Sequence, residues 1–146
     1  MKILDTPVLI TVSGSHSLEK DPIELLTKGI YKQENGTDYL EYEEFEPSSN
    51  KPTLTKITVK DQVVMLERNG AIQNYTTFIK NSWSQSATDY DGFSLNISVY
   101  PREINYDFSP EKGWLEIEYD SLLGAISSSS KLSIEYQCID KGNNGN

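Results

Sequence analysis

The sequence predicts an all-β fold: a single closed or nearly closed antiparallel meander barrel with little helix. Three observations carry that prediction. Short runs of alternating apolar and polar residues succeed one another along the whole chain. Turn signals separate them, Asn35-Gly36 and Asn69-Gly70 being the clearest, because both residue types tolerate positive φ. Nine Tyr, four Phe and two Trp supply much of the apolar bulk, and aromatic and β-branched residues favour a pleated surface.

The elements follow in order. Val8 to Val12 reads as a first strand, with Val8, Ile10 and Val12 on one face. Gly14 to Pro22 is a polar connection. Ile23 to Gln33 is a second strand, although Asp21 before Pro22 could instead cap a short helix. Thr37 to Glu46 returns after the Asn35-Gly36 turn, and Pro47 to Pro52 is a loop. Thr53 to Val59, Val63 to Glu67 and Ile72 to Ile79 are three more strands. Lys80 to Gly92 is polar and reads as the longest connection. Phe93 to Val99 alternates cleanly, Pro101 interrupts, and Ile104 to Phe108 alternates again. Pro110 to Gly113 turns the chain into Leu115 to Tyr119. After Gly124 and a serine run, Leu132 to Tyr136 is the last strand. This makes about eight to ten strands. A meander of that length has two exposed edges unless it closes, so a barrel is favoured over an open sandwich. The domain is expected over residues 1–139, and 140–146 reads as a disordered, Gly- and Asn-rich tail.

Composition bounds the function. With 146 residues the chain fits one domain with a real core. Asp and Glu number 22 against 13 Lys and Arg, a net charge of −9. A phosphate-backbone binder needs a basic face, so nucleic acid and anionic membrane are poor partners. One cysteine, Cys138, permits no intramolecular disulfide and reads as a buried, inert thiol. No run approaches the roughly 18 apolar residues of a membrane helix, and the N-terminus breaks at Pro7 too early for a signal peptide. The expectation is a soluble, acidic, cytoplasmic protein.

The stretch Gly36 to Glu44 (GTDYLEYEE), then Thr53 to Ile57 (TLTKI), then Val64 to Gly70 (VMLERNG) resembles the YwiB-like family of uncharacterised bacterial proteins. Glu111-Lys112-Gly113 followed by Leu115 to Tyr119 fits the same pattern. The resemblance spans about Pro7 to Tyr136 and rests on the order and spacing of short motifs. It implies a calycin-like, lipocalin-like β-barrel from Gram-positive bacteria and carries no activity, cofactor or catalytic residue. One stretch departs from it. A Tyr-x-Thr-Pro-x-Gly-like segment before the Phe93 strand reads Asp89-Tyr90-Asp91-Gly92 here. The Gly-x-Trp signature of true lipocalins is missing too, so kinship with them is at the level of fold, which does not fix function.

No catalytic constellation stands out, and the chain is expected not to be an enzyme. His16 is the sole histidine, in a polar loop, which argues against a zinc site or a Ser-His-Asp arrangement. Glu43 and Glu44 point to opposite faces of a strand. Glu116 and Glu118 share a face, about 6–7 Å apart, but that face lies opposite Leu115 and Ile117 and is solvated. No metal or cofactor is implied.

Binding is the better lead. Alternation aims Leu40, Tyr42, Glu44, Ile57, Val59, Val64, Leu66, Arg68, Phe93, Leu95, Ile97, Ile104, Tyr106, Phe108, Leu115, Ile117, Tyr119, Leu132, Ile134 and Tyr136 inward. Buried tyrosine hydroxyls need partners, and an inward Glu44 and Arg68 must pair, meet water or face a ligand. Tyr42, Glu44, Arg68, Tyr106, Tyr119 and Tyr136 are therefore the candidate ligand contacts. Trp83 and Tyr90, in the long polar stretch, are candidate loop contacts to a partner. The register of 63–68 is open, because both faces of that strand carry apolar residues, and a one-residue slip would turn Arg68 outward. Two readings follow: a barrel that binds a small, partly polar molecule inside, or a filled barrel that serves as a protein-interaction module. Homodimerisation through a strand face stays open.

Overall fold

The computed structural model describes residues 4–16, 23–45, 51–90 and 92–139. The ten strands are β1 (Leu4–His16), β2 (Ile23–Glu34), β3 (Thr37–Glu44), β4 (Thr53–Lys60), β5 (Val63–Asn69), β6 (Ile72–Ile79), β7 (Ser84–Tyr90), β8 (Phe93–Phe108), β9 (Lys112–Leu123) and β10 (Ile126–Cys138). Each pairs antiparallel with its neighbours in sequence, and β1 pairs with β10 to close the barrel. Closure removes the two edge strands that an open meander would have. Among the described residues there is no helix.

The meander sorts its turns into two sets. The β2–β3, β4–β5, β6–β7 and β8–β9 connections lie at one end. The β5–β6, β7–β8 and β9–β10 connections lie at the other. Asn35 and Gly36 join β2 to β3 with φ of 53° and 79°, the conformation that a two-residue hairpin turn demands.

The inward face is the one that alternation predicts over most of the barrel. Val8, Ile10, Leu40, Ile57, Val59, Val64, Leu115, Ile117 and Ile134 are all 1% exposed or less. Each such side chain contributes about 1.5–3 kcal/mol by leaving water. The register of β5 puts Val64, Leu66 and Arg68 inside, through the pairs Val59–Val64, Ile57–Leu66 and Thr55–Arg68.

Several expectations are corrected. The polar stretch from Lys80 contains a strand, β7, since Ser86 and Thr88 alternate inward in place of apolar residues. The serine run after Gly124 is the first part of β10, for the same reason. Pro101 does not divide two strands: β8 runs through it, and a register shift between Pro101 and Glu103 absorbs the missing donor. The number of strands matches because one was missed and two were one. His16 belongs to β1, paired with Ser130, and not to a loop. Cys138 is half-buried at the end of β10. Phe93 and Leu95 keep the inward register opposite Tyr90 and Thr88 but are 73% and 48% exposed. They lie where β8 extends past its pairing with β9, which begins at Ser98. The Asp21-Pro22 helix start and most of the Pro47–Pro52 loop lie outside the described residues, as does the 140–146 tail.

Candidate functional site

The two ends of the barrel are built differently. The end carrying the Asn35-Gly36 turn is filled with rings. Tyr31 stacks on Tyr136 at 5.2 Å between centroids, and Phe108 packs on Tyr136 at 5.8 Å and on Tyr106 at 5.6 Å. Each hydroxyl there has a protein partner. Tyr31 donates to Asp38 Oδ1 at 2.5 Å. Tyr136 donates to the Ser109 carbonyl at 2.7 Å and accepts from the Ser109 N–H at 3.1 Å. Tyr106 accepts from the Gln62 N–H at 3.1 Å. Gly113 makes room for this plug, since a Cβ there would stand 2.5 Å from the Tyr136 ring.

The opposite half is hollow. A cavity of about 400 Å³ opens to solvent at the end carrying the β7–β8 and β9–β10 turns. Leu66 and Phe78 lie at its buried end, with Ile97, Val99 and Leu132 in its wall. Leu123 and Ile126 line its mouth, and the remaining lining side chains are polar. Thr76 and Ser86, 3% and 8% exposed, share a 2.6 Å hydrogen bond between β6 and β7. The Asn74 amide donates to Ser86 Oγ at 3.1 Å and to Thr88 Oγ1 at 2.7 Å, and Thr76 donates to Asn74 Oδ1 at 3.0 Å. Across the cavity Ser121 and Ser128 share a 2.8 Å bond between β9 and β10.

Arg68 and Tyr119 bring charge and a phenol to this space. Arg68 Nε donates to Glu44 Oε2 at 3.2 Å, and Thr55 donates to the same oxygen at 2.5 Å. The Arg68 and Glu44 side chains are 30% and 24% exposed, so the pair sits at the boundary between wall and solvent. Tyr119 packs on Phe78 at 5.3 Å and lies opposite Ser130 on β10. Burial pushes its hydroxyl above the usual phenol range, while Ser130 and the Arg68 charge pull against that. Burial and the Glu44 charge likewise raise Tyr42, with Arg68 opposing.

The sequence-predicted contacts therefore part company. Arg68 and Tyr119 line the cavity. Tyr42 and Glu44 stand beside Arg68 in the wall, outside the lining. Tyr106 and Tyr136 belong to the packed end and do not reach the cavity. Trp83 and Tyr90 do not share a loop: Trp83 precedes β7 and Tyr90 is its last residue, roughly 20 Å away at about 3.3 Å per residue. Trp83 is 58% exposed and leans on Tyr100 at 5.2 Å. Glu116 and Glu118 face outward beside Lys131 and Arg102, each at 3.9 Å. Among the described residues no group of three His, Cys, Asp or Glu could hold a metal ion. The hydroxyls of β6, β7 and β10 escaped the sequence reading. Polar alternation, as in Ser84-Gln85-Ser86-Ala87-Thr88, was the only signal available, and it resembles a loop.

The model of a family described as a domain of unknown function, DUF1934, matches residues 9–136. The chain belongs to the DUF1934 family. A relative, the uncharacterized beta-barrel protein YwiB of Bacillus subtilis, is 25% identical over 122 residues, which cover 82% of this chain and 84% of the relative. The crystal structure of the ywiB protein from Bacillus subtilis superposes with a TM-score of 0.84 at 22% identity, over 93% of this chain and 94% of that one. This DUF1934 chain and that protein thus share one fold over nearly their whole lengths.

Proposed function

We propose that the open half of the barrel binds a small, partly polar molecule, in the manner of calycin-like barrels. The observation that carries this reading is the cavity of about 400 Å³ that opens to solvent. Its volume falls in the ordinary range for ligand pockets, about 300–1,000 Å³. A structural core would fill such a space with Leu or Ile. Here Thr76, Ser86, Ser121 and Ser128 take those positions and satisfy one another across paired strands. Their hydroxyls can each still donate or accept towards a guest. A hollow half favours this reading over a barrel filled throughout and used only as an interaction module.

The test is a fragment titration followed by amide shifts in ¹⁵N-labelled protein. Polar fragments of about ten heavy atoms are expected to shift amides of β6, β7, β9 and β10 around the cavity. They should leave those of Tyr31, Phe108 and Tyr136 in place. Shifts confined to the packed end or to the outer surface would contradict the reading.

A further inference from the structure

The cavity wall carries a charged group below a rim of apolar side chains. Among the described residues Arg68 is the one charged side chain in the lining. Its Nε is turned to Glu44, which stands outside the lining and is held there by Thr55. The terminal guanidinium edge makes no hydrogen bond to a described residue, and Tyr119 lies near enough to feel its charge. A guanidinium edge of this kind matches two carboxylate oxygens. The described rim along β8 and the β9–β10 hairpin is apolar by contrast. Strand tilt in a barrel carries each row of paired residues along the axis. The row Arg68–Asn74–Thr88–Leu95 starts at a side chain 30% exposed and ends at one 48% exposed. Beyond it Phe93 is 73% exposed, and the facing hairpin presents Leu123 and Ile126 at 40% and 59%. Large apolar side chains gathered at a pocket rim mark a surface that something apolar covers.

Resting on the binding reading above, we infer that the cavity takes an aliphatic carboxylate head-first, its carboxylate on the terminal edge of Arg68 and its chain against Leu95, Leu123 and Ile126. A compact polar guest would leave the rim bare. A hydrocarbon would leave the guanidinium edge without a partner.

Calorimetric titration of the full chain at pH 7.5 with decanoate, decanol and acetate tests this. Decanoate is expected to bind at least about tenfold more tightly than decanol, the least that a charge-assisted pair should add. Acetate should bind far more weakly, because it lacks the chain. Arg68→Gln should abolish the preference for decanoate and leave decanol unchanged. Ile126→Ser should weaken both by a similar factor. The Arg68→Gln, Glu44→Gln double variant repeats the measurement without a stranded carboxylate. Equal affinity for decanoate and decanol would overturn the inference. So would a preference that survives both Arg68 variants, or a dimer that Ile126→Ser dissociates while decanoate fails to bind. If neither amphiphile binds but polar fragments still shift the cavity amides, the carboxylate inference falls and the binding reading stands. If no fragment shifts them, both fall.

Discussion

The packed and hollow halves of this barrel share strands but not design. At the packed end, Tyr31, Tyr106, Phe108 and Tyr136 fill the section, and every hydroxyl is bound to protein. At the hollow end, short hydroxyl side chains line the wall and the large apolar side chains stand at the rim. A continuous ladder joins the two, so stability and binding can be assigned to different stretches of the same strands. The packed end holds the barrel shut, and the hollow end is free to accept a guest.

The largest expected difference between the halves is in truncation. Tyr136→Ala should cost about 3–5 kcal/mol, since it empties the stack on Tyr31 and releases Ser109. Ser128→Ala, in the hollow wall, should cost under about 1 kcal/mol. Denaturant midpoints of the two variants measure the gap, and equal losses would break the distinction.

Alkaline pH comes next. Burial raises the hydroxyls of Tyr31, Tyr42, Tyr119 and Tyr136 above their ordinary value of 10.0. The folded barrel therefore keeps protons that the unfolded chain releases above that pH. The stability from these groups is whole below pH 10 and lost as pH rises towards the folded values. Denaturation series from pH 9 to 11.5 should show a falling midpoint, with tyrosinate absorbance appearing together with unfolding. Titration of these tyrosines at pH 10 in a folded barrel would contradict the burial described.

Smaller effects sharpen the boundary. Arg68→Met should cost about 1–2 kcal/mol, between the values for buried and exposed pairs, because the Glu44 pair is partly screened by solvent. A double-mutant cycle with Glu44→Gln isolates the coupling. Trp83→Ala should change stability by no more than about 1 kcal/mol, since the ring is exposed and touches Tyr100 alone among aromatic residues.

The same contrast explains what could be read from the chain. The packed half was legible because its strands obey hydrophobic alternation: Leu115, Ile117, Ile134 and Tyr136 sit where that period puts them. The hollow half was not. Ser86 and Thr88 in β7, and Ser128 and Ser130 in β10, alternate polar with polar, which carries no hydrophobic period at all. The segments taken for a long loop and a serine linker are the very walls of the cavity. Pro101 misled in another way, because a bulge let β8 pass through it. The Arg68–Glu44 pair was foreseeable from register, whereas Tyr106 and Tyr136 shared the inward face without sharing the site. Alternation fixes the side of the sheet and not the height within the barrel.

The hollow half sets this barrel apart from one packed throughout. The most direct measurement is the melting temperature of Ser128→Leu, set beside that of Gly113→Ala. In the hollow wall the larger side chain should be accommodated, with a shift of no more than about 3 °C and loss of fragment binding. Gly113→Ala, pressed against the Tyr136 ring, should fall by about 4–8 °C or more. An equal fall for Ser128→Leu would mean that its surroundings are already packed, and would contradict a binding cavity there.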